Sequence, residues 1–368
     1  MNRLSPAQST LLDALRGLSA LTVLGGHCLA ALPNRPAVGT DYPIHSYGVI
    51  VFFALSGFLI AYNCLIKDRY SFTDYMIDRF ARIYTCYLPA LLFVAVIDIL
   101  VLDRFRSFGA TISAETFFAN LFMLQRTHFD RMVDGFPYFH VFGSAGQFWT
   151  VAIEWWLYVL FGIVFFLRRL SPAERIGAAL LLVPAATIVL YFCTHETIGL
   201  VWVVCAIGAF AFCTMALSSK TAGLSHLAVA FFAIALAMRL QVVNHKVSFD
   251  LTFMILIIGL FFSLLMLAAE SPAFARALER SRTLWVWLSS ISYSLYLTHH
   301  TLLYFYMDFF RVTGWGDVAV ICLASLALAV LFTYLFDRHH RSVATWLKSR
   351  QARRPAVPAA SEPVARAS

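Results

Sequence analysis

Long apolar stretches recur along the whole 368-residue chain, and they restrict its fold more than any other feature. A helix needs about 20 mostly apolar residues to cross the hydrocarbon core of a bilayer. Stretches of that kind lie near residues 11–32, 46–66, 84–102, 147–167, 175–193, 198–217, 224–239, 250–269, 284–309 and 317–336. The pattern predicts an all-α polytopic membrane protein with about ten transmembrane helices.

The first stretch admits a second interpretation, because a basic start followed by an apolar centre is also typical of a secretory signal peptide. Asp13, Arg16 and His27 lie inside this stretch. Ionisable residues at these positions disfavour cleavage, so we interpret the stretch as the first span.

The composition excludes a soluble fold of this size. Hydrophobic residues make up 60% of the chain and charged residues 13%, whereas an average soluble chain has about 45–50% and about 25%. The seven cysteines include no Cys-x-x-Cys pair and lie mostly in apolar stretches. Their spacing argues against a disulfide framework and a zinc site, and we expect no bound metal.

The distribution of basic residues predicts the orientation. With a cytoplasmic N-terminus, 20 of the 28 Lys and Arg residues fall on the inside and 8 on the outside. The positive-inside rule then places both termini in the cytoplasm. We expect a membrane domain over residues 1–336 with an external loop near 103–146, in which residues 115–124 form a short interfacial helix. Residues 337–368 are basic and are predicted to form a largely disordered cytoplasmic tail.

The first predicted span carries two ionisable residues, Arg16 and His27. Eleven positions separate them, so in a helix they share one face with an axial offset of roughly 16 Å. Ionisable residues within a span are costly and indicate function by default. The alternative is that Arg16 snorkels to the inner boundary while His27 makes a hydrogen bond between helices.

Polar residues of other spans fall at a comparable predicted depth. Glu154 lies roughly 10 Å from the external end of its span, and His299 lies roughly 22 Å from the cytoplasmic end of its own. Together with His27 they predict a central polar cavity in the outer half of the bilayer. Two alternatives are that Ser56 and Gly57 serve close helix packing and that Glu154 and His299 pair with each other.

At the inner boundary, Arg79 and Arg82 stand at positions i and i+3 and share one helical face. Paired guanidinium groups bind phosphate well through bidentate, charge-assisted hydrogen bonds. The alternative is ordinary positive-inside charge. The arginines lie at the inner side, and His27, Glu154 and His299 are predicted to lie toward the outer side. This arrangement suits a long donor with a phosphate head that enters from inside and an acceptor that enters from outside.

Five short motifs occur in order along the chain: LDALRGLSALTVLGGHCLA (12–30), FFALSGFLI (52–60), RFARIYTCYLP (79–89), FWTVAIEWWLY (148–158) and ISYSLYLTHH (291–300). They contain Arg and His eleven positions apart, Ser-Gly, Arg-x-x-Arg, Trp-Thr-x-x-x-Glu and Ser-Tyr-Ser-x-Tyr-Leu-x-His. In this order and at these intervals they resemble the acyltransferase 3 family of integral-membrane O-acyltransferases. With no appended SGNH-type hydrolase domain after the last predicted span, the resemblance is to the stand-alone branch.

The resemblance implies an acyl-CoA-dependent O-acyltransferase that moves an acyl group, usually acetyl, to a hydroxyl of a cell-envelope carbohydrate. His27 would correspond to the essential histidine of the family. An alcohol is a poor nucleophile until a base accepts its proton, and imidazole is a suitable base. Glu154 or His299 would orient His27 or polarise the acceptor hydroxyl.

The same resemblance implies which residues bind the donor, which partners the protein has and where it is located. Arg79 and Arg82 would contact the CoA phosphates, and Arg16 and Ser56 complete the predicted donor-binding set. We expect no permanently bound cofactor, with acetyl-CoA as donor substrate. The expected partners are acyl-CoA, the lipid bilayer and an envelope glycan or lipid-linked sugar, with no nucleic acid. The expected location is the bacterial inner membrane, as a multi-pass protein.

Two other classes of function fit part of the sequence. A proton-coupled transporter or flippase of envelope precursors would explain buried His27, Glu154 and His299, but not the paired inner arginines. A scaffold subunit with vestigial polar groups is the third class. The acceptor stays open among lipopolysaccharide, exopolysaccharide, peptidoglycan, a lipid-linked sugar and a small glycoside.

Overall fold

The computed structural model describes residues 2–33, 44–104, 109–131, 134–195, 197–214, 223–242 and 251–352. Within these ranges the chain is helical and has no strand, which confirms the predicted all-α fold there. The α-helices are α1 (Pro6–Ala30), α2 (Ile44–Ile66), α3 (Phe72–Leu100), α4 (Ala114–Leu121), α5 (Phe148–Phe166), α6 (Pro172–Thr194), α7 (Ile198–Thr214), α8 (Leu224–Val242), α9 (Leu251–Glu270), α10 (Pro272–Arg280), α11 (Arg282–Phe310), α12 (Trp315–Leu335) and α13 (His340–Ala352).

Six of the described helices are long and apolar enough to cross a membrane, namely α2, α3, α5, α6, α9 and α12. Two further apolar helices, α7 and α8, are shorter. Helices α1 and α11 have 25 and 29 residues but carry more polar side chains along their length. Each predicted apolar stretch lies on one of these helices, so the protein is a multi-pass membrane protein. The number of ten spans stays a prediction.

Serine residues fix where several helices begin. Ser5 precedes α1, and its hydroxyl accepts a hydrogen bond from the backbone N–H of Gln8 at 3.2 Å. The Gln8 side chain accepts one in return from the Ser5 N–H and donates another to the carbonyl of Leu265 in α9. The Ser71 and Ser171 hydroxyls likewise accept from the backbone N–H groups of Asp74 and Glu174 at the starts of α3 and α6. These bonds satisfy N–H groups that the first helical turn leaves without partners.

Close approaches at glycine residues set the packing of α1, which lies between α2 and α11. A Cβ atom built on Gly26 would lie 2.4 Å from the backbone nitrogen of His45 in α2. One built on Gly17 would lie 2.7 Å from the Cβ of Leu288 in α11. Small residues at such contacts are typical of helix packing in membranes. The two contacts determine the register of α1 against both neighbours.

This register places polar residues at two levels of the bundle. Helix α2 runs antiparallel to α1, and α11 runs parallel to it. Eleven residues separate Arg16 from His27 on α1, and eleven also separate Ser56 from His45 on α2. At 1.5 Å per residue, the two levels are about 16 Å apart along the helix axes.

The segment between α3 and α5 is well connected by hydrogen bonds. The predicted short helix at residues 115–124 is present as α4, one residue earlier at its start and three earlier at its end. Asn120 is fully buried; its side chain donates to the carbonyl of His140 at 2.9 Å and accepts from the N–H of Phe142 at 3.2 Å. Gln125 donates to the carbonyl of Phe148 at 3.0 Å, which joins the segment to α5.

The prediction of a disordered tail is wrong for residues 337–352. This segment forms a 3-10 turn followed by α13, which packs against α3. Asp337 pairs with Arg82 at 2.7 Å, and Lys348 pairs with Asp78 at 2.7 Å. Basic composition alone suggested a solvated tail, because its partners on α3 are some 260 residues away in sequence. Residues 353–368 lie outside the described residues.

We predict that Gly26→Ala separates α1 from α2 and destabilises the protein. The added methyl group meets the backbone of His45, and overpacking of this kind costs about 1–3 kcal/mol. The thermal midpoint of the purified protein in detergent should fall. Gly25→Ala is the matched control, since no atom lies within 4 Å of its Cβ position. Equal midpoints for the two variants would contradict the close contact.

Candidate active site

A cavity of about 600 Å³ lies between α1, α2, α3, α5, α11 and α13. It brings together all but two of the predicted site residues, and those that line it are Arg16, Ser56, Arg79, Arg82 and Glu154. Six Lys or Arg side chains and two carboxylates line the cavity in total. Its wall is therefore strongly cationic.

Glu154 belongs to this cavity and not to the histidines with which it was predicted to lie. It accepts hydrogen bonds from the hydroxyls of Ser56, at 2.7 Å, and of Tyr158. Trp202 donates its indole N–H to the Ser56 oxygen at 3.1 Å. Because Ser56 and His45 are about 16 Å apart along α2, the predicted shared depth of Glu154 and the histidines is wrong. The ends of different helices lie at different heights in the bundle, so distances from those ends do not give a common depth.

The two arginines that α3 brings to the cavity, Arg79 and Arg82, have different surroundings. The Arg82 guanidinium donates to the Asp337 carboxylate at 2.7 Å and lies 5.1 Å from the ring centre of Tyr293. The Arg79 guanidinium lies near two aromatic rings, at 5.9 Å from the ring centre of Tyr75 and 5.8 Å from that of Tyr158.

Arg79 retains hydrogen-bonding capacity toward a ligand. Its Nε is buried and has no hydrogen-bond partner among the described residues. Aromatic rings attract a cation through their π faces, but they leave its N–H groups available. Arg16 faces the same space from α1 and interacts electrostatically with Arg82 and Glu154. An anionic ligand in the cavity would therefore meet an N–H donor of Arg79 that no described residue satisfies.

The histidines form a separate cluster, which we call the histidine cluster: His27, His45, His299 and His300. The ring of His27 stacks on that of His45 with centroids 4.3 Å apart. It lies 5.3 Å from the ring of His299 and 4.9 Å from that of His300. The structure thus brings His27 and His299 together, while neither lines the cavity among the described residues.

Backbone carbonyls orient two of these rings. Nδ1 of His299 lies 3.0 and 2.9 Å from the carbonyl oxygens of Leu295 and Tyr296, and Nδ1 of His300 lies 2.6 Å from that of Ser144. A carbonyl only accepts, so Nδ1 carries the proton in both rings. In a neutral ring this leaves the lone pair on Nε2. Nε2 of His299 is buried without a hydrogen-bond partner among the described residues.

An aromatic pair of the cavity wall lies next to the histidine cluster. Phe52 and Tyr296 both line the cavity, and their ring centres are 5.8 Å apart. On the opposite side, Tyr296 lies 6.0 Å from the ring of His299. Its hydroxyl is hydrogen-bonded to Thr150. Tyr296 therefore connects the cavity wall to the histidine cluster.

Sequence reasoning missed several residues of this arrangement. The spacing from His45 to Ser56 equals that from Arg16 to His27, and this repeated interval was a signal that could have found His45. Tyr158 follows Glu154 by one helical turn, so its position was also predictable. Asp337 and Lys348 gave no local signal, because only the folded chain brings α13 to α3.

The acyltransferase domain model, Acyl_transf_3, matches residues 10–334 of this chain. An O-acetyl transferase of Shigella phage Sf6 is 28% identical over 160 residues, which are 42% of this chain and 46% of that protein. The chain thus aligns with less than half of that relative's length. No solved structure matches the chain. Because the domain model covers most of the sequence, the protein belongs to the acyltransferase 3 family.

We predict that Asp337→Asn destabilises the protein through Arg82. Asp337 is only 3% exposed, and its loss leaves the guanidinium without the carboxylate that binds it. A hydrogen bond to a charged group contributes about 1.5–3 kcal/mol, so the thermal midpoint in detergent should fall. Asp68→Asn, at an exposed position before α3, serves as control. A midpoint unchanged in Asp337→Asn would show that the pair contributes nothing to the fold.

Proposed function

We propose, from the membership of this chain in the acyltransferase 3 family, that it moves an acyl group, most simply acetyl, from cytoplasmic acyl-CoA to a hydroxyl of a cell-envelope carbohydrate. The observation that carries the proposal is the arrangement of two sites on the same three helices. A cationic cavity lies at one level, and a cluster of histidines lies about 16 Å away at the other.

On the donor side, the cavity suits the phosphates of CoA. Arg79 offers a buried Nε–H that no described residue satisfies, and Arg82 lies one helical turn along α3. Guanidinium groups bind phosphate oxygens in a bidentate manner. Arg16 adds a third positive charge from α1, and Ser56 contributes a hydroxyl held by Glu154 and Trp202.

On the acceptor side, His27 acts as the general base. It takes the proton of the acceptor hydroxyl while the oxygen attacks the thioester carbonyl; the carbon–sulfur bond then breaks, and the CoA thiolate receives the proton. General base catalysis of this kind contributes about 10²–10⁴-fold to a rate. His299, with Nδ1 directed to backbone carbonyls and Nε2 without a hydrogen-bond partner among the described residues, positions the ring of His27 or the acceptor.

Glu154 has a different role in this scheme. It was expected to act beside His27, but its contacts are with Ser56 and Tyr158 in the donor cavity. We assign it to the donor side, where it orients two hydroxyls and offsets part of the arginine charge.

The proposed topology follows from the side on which the donor is made. Acyl-CoA is cytoplasmic, so the cavity, its arginines and α13 face the cytoplasm, and the excess of basic residues predicts the same orientation. The histidine cluster then lies toward the outer leaflet of a bacterial inner membrane, where an envelope glycan or a lipid-linked sugar reaches it.

We predict that His27 and Arg79 affect different steps. His27→Ala should abolish acetyl transfer while the protein binds acetyl-CoA as before, because the ring serves the chemistry. Arg79→Ala should weaken acetyl-CoA binding by about one to two decades, since a charge-assisted contact contributes about 1.5–3 kcal/mol. Thioester consumption and acetyl-CoA binding by the purified protein measure the two steps.

His226→Ala, an exposed histidine on α8, is the control and should behave as wild type. Arg79→Lys should restore binding only in part, because an ammonium lacks the planar fork. Near-full transfer by His27→Ala at normal expression would remove His27 from the mechanism. Envelope glycans from cells with and without the gene should differ by the mass of the acyl group.

We also predict that the C-terminus and the α3–α5 segment lie on opposite sides of the membrane. In a cysteine-free background, Asp134→Cys, at an exposed position, and Ser368→Cys are labelled in intact cells with a membrane-impermeant maleimide. Only Asp134→Cys should react before the membrane is permeabilised. Labelling of both positions in intact cells would refute the orientation.

A further inference from the structure

The helix α13 presents one face to the cavity described above. Its cavity-lining residues recur with the spacing of a single helical face, and they are His340, Arg341, Ala344, Thr345 and Lys348. Lys67, at the end of α2, lines the same part of the cavity. We call Lys67, Arg341 and Lys348 the cationic rim.

Two ion pairs hold this helix on α3. Arg82 binds Asp337 at the start of the segment, and Asp78 binds Lys348 eleven residues later, both at 2.7 Å. Since Asp78 and Arg82 are one helical turn apart on α3, a single face of α3 supports α13 at both ends. The position of the rim relative to Arg79 and Arg82 is therefore fixed by the fold.

The rim carries more positive charge than the fold uses. Asp78 accepts from Lys348, from Tyr70 at 2.7 Å and from Lys67 at 3.4 Å, so two ammonium groups share one carboxylate. Arg341 is exposed, and its guanidinium makes no ion pair or hydrogen bond with a described residue. Anchoring a helix requires one carboxylate for each cation. The three cations of the cationic rim have one carboxylate partner among the described residues, so this edge of the cavity has a net positive charge.

We propose that the cationic rim recognises the phosphate on the ribose of the acyl-CoA donor and so determines which thioesters the protein accepts. This inference rests on the proposed function. A CoA thioester carries its diphosphate nearer to the acyl group and a further phosphate at the nucleotide end. With the diphosphate at Arg79 and Arg82, the nucleotide end extends toward α13, where Arg341 and Lys348 meet the remaining phosphate.

The rim distinguishes donors by charge. An acyl thioester without the ribose phosphate leaves Arg341 and Lys348 without their ligand and loses affinity. Lysine and arginine near the cavity edge act on phosphate through charge-assisted contacts. Part of this attraction is screened by solvent, so the effect of each residue is smaller than that of a fully buried pair.

The test compares acetyl-CoA with acetyl-dephospho-CoA, which lacks only the ribose phosphate. Wild-type protein should prefer acetyl-CoA by about tenfold in kcat/KM, mostly through KM. Arg341→Ala and Lys348→Ala should each lower this preference, and the double variant should bring it to within about twofold.

Two further variants separate recognition from anchoring. Asp78→Asn breaks the same ion pair as Lys348→Ala but keeps both cations, so it should retain the preference for acetyl-CoA. Arg350→Ala removes a cation of the same helix that lies 5.0 Å from the Trp346 ring and outside the cavity lining. It should behave as wild type with both donors.

The outcomes separate this inference from the proposed function. A preference unchanged in the double variant, or lost equally in Asp78→Asn, would overturn phosphate recognition by the rim and leave α13 a structural element. If the wild-type protein uses both donors equally well, phosphate recognition by the rim is wrong, while the proposed function stands. A wild-type protein that consumes neither thioester would overturn the proposed function, and the rim proposal with it.

Discussion

The close approach of α1 to α2 and α11 is the constraint on which the arrangement of polar residues depends. Gly26 lies against the backbone of His45, and Gly17 lies against Leu288, so a larger residue at either position would shift α1 along or away from its neighbours. Without strong hydrophobic attraction between helices inside a bilayer, such van der Waals contact is a main source of association and of register. Register in turn decides which polar groups face one another, because a shift by one helical turn moves a side chain by about 5.4 Å.

Charge within this bundle is stabilised by partners from outside the spans. Arg82 has its carboxylate from Asp337, which follows α12, and Asp78 has an ammonium group from Lys348 in α13. Isolated charges at such positions are costly, so the C-terminal helix contributes to the stability of the cavity as well as to its shape. Arg79 has two aromatic rings within 6 Å of its guanidinium and an Nε that no described residue satisfies. The protein thus neutralises part of the cationic wall, and the wall keeps an excess of positive charge among its lining residues.

The arginines and the histidines lie in separate groups, and this separation limits how one substrate can contact both. Helix α1 carries a member of each group, but among the described residues the histidines do not line the cavity. Tyr296 lines it and lies 6.0 Å from the ring of His299. A donor bound by its phosphates at one level would have to extend to the other level to bring its carbonyl to His27. The two histidine rings are also held independently of the arginines, since His299 and His300 direct Nδ1 to backbone carbonyls. Their Nε2 atoms are then set by the backbone itself, independently of the cavity charges.

The sequence by itself determined the helical membrane fold and the family, because apolar length and motif order are properties of neighbouring residues. It also predicted five of the residues that line the cavity. It also predicted that Arg16 and His27 share a face, since helical periodicity fixes this within one element. Only the tertiary structure decided that Glu154 lies with Ser56 rather than with His27, and that His45 stacks on His27. It likewise decided that residues 337–352 form part of the cavity wall. Each of these depends on the offset between different helices, and that offset arises from packing contacts far apart in sequence.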